Sequence, residues 1–431
     1  MESQIKEALS IQQAAALSNL SIKNIRREVA SNSFLSLRKN GKILVDRDSF
    51  MAWQNQQSHL QREHTNSKRR PDWGKQNKQN RQNDRVHWIE IEQEMREIDG
   101  WKTELDHRFN CIDLFSGAGG LSCGLMMAGF GPLASAEIMP EAIETYQNNF
   151  KHFRGQHKDF VFKDITQDRV KQDLINSVRP YHIHLIAGGF PCQGFSMAGH
   201  RIVCDQRNSL YLEMLDVVSK ILPDFVLMEN VEGLRSMLGG EIEKKIIEDY
   251  KKIGYAINIT TLNAADYGVP QTRKRVIFIG NKLGLTNYHP KPFLPPQNHK
   301  TVADAVGRFV DMPEDKSINH IMTKHAPDML ERIKKLEIGK SLYGNYSDAW
   351  KKVAWDKPSC TVKENHGGVN IHPLLNRVMT PRELAALQSF PDDFIFYGSK
   401  KWQLVQIGNA VPPLLGKAIG LAIIKSLKER T

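Results

Sequence analysis

Among the five cysteines of this 431-residue chain, Cys192 stands where a thiol could do chemistry. It lies in Gly188-Gly189-Phe190-Pro191-Cys192-Gln193-Gly194-Phe195-Ser196, directly after the apolar run 183–187. Glycines and a proline put it in a turn at a strand end rather than in a core. Most cytosolic cysteines are small buried hydrophobes. Cys111 in strand context and Cys123 in the helix after it fit that plain reading, as do Cys204 and Cys360. A nucleophilic thiol needs access to its substrate and positive charge nearby. Glu229 follows the apolar run 225–228 directly, in Met228-Glu229-Asn230-Val231, so its carboxyl is expected at a partly dry pocket wall. Desolvation raises a carboxyl pKa and lets it hold or donate a proton near neutrality. Gln271-Thr272-Arg273-Lys274-Arg275 leads into a further apolar run. Strand side chains alternate, so Arg273 and Arg275 share one side. One could donate to a carbonyl oxygen, and the other hold a phosphate or the thiolate loop. The plainer alternative is an exposed basic strand edge.

A second constellation is of nucleotide type. Asp113-Leu114-Phe115-Ser116-Gly117-Ala118-Gly119-Gly120-Leu121 runs from a strand through a glycine-rich turn into a helix. Such a turn lets backbone approach a ligand and presents free N–H groups. Glu137 comes at the next strand end, where an acid can bind both hydroxyls of a ribose. Asp164-Ile165 ends a later segment and could contact an adenine amino group. The alternative for either acid is a solvated loop carboxylate.

These residues need a scaffold that brings strand ends together. Apolar runs at 111–115, 132–136, 183–187, 225–228 and 276–279 alternate with helical patterns, which predicts a parallel sheet covered on both faces. In such sheets ligands collect at the carboxyl ends of the strands. Lys and Arg outnumber Asp and Glu by 59 to 48, a surplus of +11 that favours an anionic partner, nucleic acid first. The odd cysteine count without a C-x-x-C pair suggests neither a disulfide framework nor a zinc site, and a reducing cytosol fits. No signal core and no stretch of membrane-spanning length is visible, so secretion and membrane insertion are not expected.

The first 57 residues read as helix, turn, helix, hairpin, helix. Ser10 with Gln13 forms a capping box, Ser21 caps a second helix carrying Ile22, Ile25 and Val29, and Asn40-Gly41 marks a hairpin. A short helix from Asp46 through Trp53 ends the segment. Residues 58–85, rich in Gln, Asn, Lys and Arg, predict a flexible basic tether. Residues 86–100 predict a short amphipathic helix with Trp88, Ile91 and Met95.

The blocks occur in a particular order: the glycine-rich turn, Glu137, Pro191-Cys192-Gln193, Glu229-Asn230-Val231, Gln271-x-Arg273-x-Arg275, and Gln406-Ile407-Gly408-Asn409-Ala410-Val411-Pro412-Pro413. That order resembles the DNA (cytosine-5) methyltransferases over roughly residues 109–431. Residues 1–57 resemble the winged helix-turn-helix of excisionase and MerR-type proteins, with Lys23, Arg26 and Arg27 facing the groove. A small protein-interaction domain is the competing reading of that arm.

The resemblance implies an α/β fold: a Rossmann-like S-adenosylmethionine-dependent methyltransferase sheet, a smaller target-recognition domain and the N-terminal winged helix-turn-helix. The spans are 1–57 for the DNA-binding-like domain, 58–100 for linker and short helix, 101–284 for the catalytic domain, 285–404 for target recognition and 405–431 for the return to the catalytic domain. Cys192 would attack carbon 6 of cytosine, Glu229 would serve ring nitrogen 3 and the exocyclic amine, and Arg273 would hold the carbonyl, with Arg275 alongside. Phe115, Gly117, Gly119 and Gly120 would surround the methionine end of S-adenosylmethionine, together with Pro191. Glu137 would hold the ribose, Asp164 and Ile165 the adenine, and Asn409 would close the pocket. No metal is implied. The target base must leave the duplex, and residues 197–208, with His200, Arg201 and Arg207, would close over the DNA as a mobile loop. Thr361-Val362 and His366-Gly367-Gly368 look like the core of the variable domain. The expected partner is double-stranded DNA, bound by a monomer in a bacterial or phage restriction-modification setting in the cytoplasm. Two other readings are a cytosine-5 enzyme acting on tRNA, and an added autoregulatory role for residues 1–57.

Overall fold

The computed structural model describes residues 8–18, 25, 29, 36–39, 42–52, 86–97, 101, 109–150, 160–191, 195–198, 201–204, 209–344, 350–363 and 369–430. They fall into two units, Met1–Asn83 and Asp84–Thr431.

In the first unit the expected capping box opens the helix Ile11–Ser18. Ser10 N donates to Gln13 Oε1 at 2.8 Å, and Gln13 N donates to Ser10 Oγ at 3.2 Å. Strands Ser36–Lys39 and Lys42–Asp46 pair with Lys39 opposite Lys42, the register of a two-residue hairpin turn. A strand not anticipated, Ala8–Ser10, adds to the free side of Lys42–Asp46. Ala14, Ile25, Val45 and Phe50 form a small fully buried core. Lys23, Arg26 and Arg27, the groove-facing side chains of the helix-turn-helix reading, lie outside the described residues, as does the tether.

The second unit is built on a seven-stranded sheet. Its strands are β1 (Phe109–Leu114), β2 (Phe130–Ala136), β3 (Val161–Phe162), β4 (Leu185–Gly188), β5 (Phe225–Val231), β6 (Ala256–Asn263) and β7 (Lys274–Asn281), in the order β6-β7-β5-β4-β1-β2-β3. The five expected runs are all present. The sheet is mixed, however, because β7 runs antiparallel to both β5 and β6. Hydrophobic runs of this kind carry no direction, so the purely parallel expectation is corrected here.

Alternation along the strands explains how the sheet buries both faces. Val226, Met228, Val276 and Phe278 face one side, against Leu174 of α3 (Asp168–Val178), Met214 and Val217 of α4 (Ser209–Ile221) and Ile246 of α5 (Glu241–Lys252). Phe225, Leu227, Ile277 and Ile279 face the other, against α1 (Gly120–Ala128) and the long C-terminal helix Pro413–Lys428. Each fully buried side chain of this size contributes about 1.5–3 kcal/mol. A further helix, α2 (Pro140–Phe150), follows β2. The C-terminal helix touches α1 so closely that a Cβ on Gly124 would stand 2.2 Å from Pro413 O. Only glycine permits that approach, which fastens the end of the chain beside β1.

Two further expectations change. Residues 86–97 are not one helix: His87–Ile89 is a strand, paired in parallel with Tyr288–Pro290, and only Glu92–Arg96 is helical. Ile91 and Met95 are buried against the C-terminal helix, whereas Trp88 is exposed, so the apolar spacing reflected burial by a neighbour rather than helical periodicity. One stretch, Lys400–Lys428, is long and apolar enough to cross a membrane, contrary to the sequence reading. Its most apolar 18-residue window is 78% buried inside the protein, as core helices are.

Between residues 319 and 383 a buried polar cluster holds the start of the helix Pro381–Leu387. Thr380 and Glu383 form a capping box, and Arg377 donates to both Glu383 oxygens at 2.7 and 2.8 Å. His372 Nδ1 accepts from Leu374 N and Leu375 N, and burial lowers its pKa to about 4. A histidine depressed in the folded state stays neutral while the unfolded chain takes up a proton. Stability is therefore expected to fall as pH drops from 6.5 toward about 4. Melting temperatures of wild type and His372→Asn across that range check this. The difference should close as pH falls; parallel curves would refute it. The subtraction matters because Asp113, raised to about 7 by burial, works in the opposite direction in both proteins.

Candidate active site

Strand order reverses beside β1, whose neighbours are β2 and β4. A cleft of about 1190 Å³ opens at the carboxyl ends of these strands, the place such sheets reserve for ligands. One wall comes from the glycine-rich turn. Phe115 adopts φ 58°, rare for an aromatic residue and a store of about 1–3 kcal/mol of strain at the cleft's edge. Gly117 N donates to Glu137 Oε2 at 2.8 Å, while Ile138 N and Met139 N donate to Oε1. The Glu137 carboxylate is thereby pinned at the end of β2. Asp164 accepts from Thr166 N and Oγ1 at 3.0 and 2.7 Å, and those bonds hold its pKa below the usual range. Beneath the turn, Asp113 accepts from Ser122 Oγ at 2.6 Å, and Ser122 Oγ lies 2.7 Å from Tyr146 OH.

The opposite wall is where the antiparallel β7 matters. Val231 is paired with Arg275, which brings the beginning of β7 to the end of β5. Glu229 is diagonal to Arg275 on the same sheet face, and Arg275 Nε meets Glu229 Oε1 at 2.7 Å. Both side chains are 12% exposed. The sequence reading placed Glu229 at a dry wall without this guanidinium. A Cβ on Gly189 would lie 3.2 Å from Glu229 Oε2, so a glycine at that point leaves the carboxyl its room. Asn230 Nδ2 donates to Phe190 O at 2.8 Å and ties the Gly189–Pro191 turn to β5.

Arg273 is placed differently from Arg275. It is 3% exposed and donates to Val362 O, Gly408 O and Ala410 O at 2.8, 3.2 and 2.9 Å. Burial, with Arg275 beside it, pulls its pKa far below the usual arginine value. Gln271, fully buried, accepts from Val362 N and donates to Gln388 Oε1. Thus the first half of the Gln271–Arg275 block fastens residues 362, 388 and 408–410 to the sheet, and Arg275 alone of the two arginines reaches Glu229.

Phe115, Gly117, Glu137, Asp164, Ile165, Pro191, Glu229, Arg273, Arg275 and Asn409 all line the cleft. Gly119 and Gly120 do not: Cβ atoms there would meet Phe150 at 2.5 Å and Val411 O at 2.3 Å, so these glycines serve close packing. Cys192 lies outside the described residues, as do His200 and Arg207. The segment expected as a loop contains a two-stranded hairpin, Phe195–Ala198 with Arg201–Cys204. Among the described residues, three cleft-lining buried side-chain atoms lack a hydrogen-bond partner: Ser116 Oγ, Gln406 Oε1 and Arg273 Nε. Each such atom costs about 1–3 kcal/mol until something satisfies it. Ser116 and Gln406 stood inside blocks noted in the sequence, but residue type alone gave no sign that their polar atoms would be buried and unmet.

At the other end of the sheet, His182, His184 and Asp224 gather three ligand-type atoms within 4.8 Å. His182 Nε2 contacts Asp224 Oδ2 at 2.7 Å, and His184 Nδ1 accepts from Asn110 N at 3.0 Å. A lone pair already given to an amide is not offered to a metal, so this group reads as a polar clasp on the strand starts.

A family model for C-5 cytosine-specific DNA methylases matches residues 109–425. The chain belongs to that family. This methylase is 40% identical over 329 residues to the Type II methyltransferase M1.HphI of Haemophilus parahaemolyticus, covering 73% of this chain and 86% of the relative. It is 33% identical over 381 residues to the Type II methyltransferase M.XorII of Xanthomonas oryzae, covering 74% and 85%. Among solved structures it is similar to one described as a prophage-encoded DNA modification methyltransferase of E. coli, with TM-score 0.60 and 28% identity over 74% of this chain and 99% of that one. The methyltransferase EhMeth of Entamoeba histolytica, at 19% identity and TM-score 0.55, shares the fold. The methylase is thus a DNA cytosine-5 methyltransferase with a mixed-sheet α/β fold.

Proposed function

We propose that the protein is the modification enzyme of a Type II restriction-modification system, transferring a methyl group from S-adenosylmethionine to carbon 5 of a cytosine swung out of duplex DNA. The observation that carries the chemistry is the Glu229–Arg275 pair at the end of β5, across the cleft from the Glu137-pinned glycine turn. Relatives named as Type II methyltransferases support the setting.

The residues present fit the cofactor. Glu137 would use its remaining carboxylate lone pairs for the ribose hydroxyls, Asp164 and Ile165 would border the adenine, and Asn409 and Pro191, which line the same cleft, would close around the cofactor. When bound, S-adenosylmethionine supplies an electrophilic methyl group. The chain supplies the rest. Cys192 follows the Asn230-tethered turn, and its thiolate forms a bond to carbon 6 of the base. Ring electrons move toward nitrogen 3, where a proton taken up from solvent and passed through the Glu229 carboxylate neutralises the developing charge. Carbon 5 thereby becomes nucleophilic and accepts the methyl group. Loss of the carbon 5 proton to a base, water included, then expels the thiolate. Arg275, whose Nε already meets Glu229, takes the role of donor to the cytosine carbonyl; Arg273 is left to position the chain around it.

This division of labour is testable. Arg275→Met is expected to lower single-turnover methylation by roughly 10²–10³-fold, as loss of an aimed donor does, with little change in unfolding midpoint. Arg273→Met should instead destabilise the fold by about 3 kcal/mol, since buried carbonyls lose their donors. The reverse pattern would return the carbonyl-binding role to Arg273.

We assign target recognition to residues 285–404 and an accessory DNA-binding role to residues 1–57, in a monomer acting in a bacterial cytoplasm. Bisulfite sequencing of DNA from cells expressing the protein tests activity and reports the site together. Methylated cytosines in a fixed sequence context are expected. Unmodified DNA, with methyl transfer to tRNA instead, would overturn the reading.

A further inference from the structure

The helix Pro327–Lys335 packs inward through Ile333, fully buried, with Met329 and Leu336, against Ile371 and Val378. Its last turn carries Arg332, Lys334 and Lys335 at the surface. Cations there complement the helix dipole, and Lys334 and Lys335 need no further account. Arg332 differs, because its head group is held in place. The guanidinium carbon stands 5.1 Å from the centre of the Tyr343 ring, and that ring meets Trp350 edge-on at 5.7 Å. Both aromatics belong to a short antiparallel arm that follows the helix. In it Gly339 N donates to Lys352 O at 2.7 Å, Lys352 N to Lys340 O at 3.0 Å and Leu342 N to Trp350 O at 3.0 Å. Trp350 adopts φ 55°, a strained value that its surroundings must hold.

Asp328 lies four residues before Arg332, the spacing of a helical ion pair. Even so, among the described residues no ion pair or hydrogen bond engages the Arg332 guanidinium. A guanidinium over an aromatic ring spends its face on the contact and keeps its N–H edge. The donors of Arg332 are thus oriented and unspent. A phosphate gains little from such orientation, since a mobile lysine neutralises it as well. The gain comes with two coplanar acceptors at fixed spacing, and O6 and N7 of guanine present that pair in the major groove.

We infer that Arg332, held by Tyr343, reads one guanine of the DNA target through O6 and N7. This rests on the assignment of residues 285–404 to target recognition, and it narrows that assignment to one side chain and one base.

The experiment uses the full chain and duplexes carrying its methylation site, found by bisulfite sequencing. Each guanine is replaced in turn by 7-deazaguanine, which pairs normally but lacks the N7 acceptor. Wild type should lose roughly 10-fold in kcat/KM at one of these guanines. Arg332→Met should lose roughly 10–100-fold on natural DNA and then ignore the replacement at that guanine. Tyr343→Leu keeps the charge without its support, and should lose about 2–5-fold with a blunted response at the same position. Both variants should bind S-adenosylhomocysteine as wild type does, which shows the fold intact. Losses that multiply at every position, the mark of a phosphate contact, would overturn the inference. So would an Arg332→Met enzyme as active and as selective as wild type. Methylation by wild type without any fixed sequence context would instead bring down the target-recognition assignment itself.

Discussion

Cys192→Ala is expected to leave DNA unmethylated, with turnover down on the order of 10⁴-fold or more, while S-adenosylhomocysteine still binds. Removing the nucleophile of a covalent mechanism leaves only binding and electrostatics, and losses of this size follow. Neither Glu229 nor Arg275 can replace a thiolate at carbon 6, because one is an oxygen acid held in an ion pair and the other a cation. A second readout looks at the adduct. In DNA carrying 5-fluorocytosine at the target, carbon 5 bears a fluorine that cannot leave as a cation. The sulfur–carbon bond then persists after methyl transfer. Wild type should give a denaturant-stable protein–DNA species, and Cys192→Ala none. Activity within tenfold of wild type, or the same adduct in both proteins, would remove Cys192 from the mechanism.

Glu383→Ala carries the largest expected effect on stability, about 3–5 kcal/mol, the usual result of breaking a buried ion pair from one side. Glu383 is fully buried, accepts from both terminal nitrogens of Arg377, and closes the capping box at Thr380. Its pKa is lowered, burial working against it and the Arg377 bonds outweighing burial. Truncation strands the guanidinium and unties the start of the helix Pro381–Leu387. That helix leads to Gln388, whose amide donates to Ile407 O and accepts from Gln271. The loss should therefore reach the cleft as well as the fold. Chemical unfolding checks the magnitude, with Arg377→Met/Glu383→Leu as partner variant. Removing both charges should recover much of the stability, because no uncompensated ion remains. A single-variant loss below about 1 kcal/mol would contradict this account of the cluster.

The chemistry-bearing blocks were legible because their residue types sit at fixed offsets from apolar runs. Glu137 and Glu229 each stand at the carboxyl end of a strand, and all the expected sheet runs became strands. The first unit likewise announced its capping box and hairpin through local turn chemistry. What pattern could not convey was direction and company. An apolar run reads the same in either orientation, so the reversal of β7, and with it the meeting of Arg275 and Glu229, depended on how distant strands pair. Equal spacing made Arg273 and Arg275 look equivalent, until packing surrounded one with the carbonyls of Val362, Gly408 and Ala410 and left the other facing a carboxylate. Gly119 and Gly120 carry a demand that their residue type did not reveal, the close approach of Phe150 and of Val411 O to where a Cβ would stand. Local sequence thus specified which groups are available and on which element, since propensity and periodicity act over a few residues. The choice of partner for each group belongs to contacts across a hundred residues or more, which form only when the whole sheet is assembled.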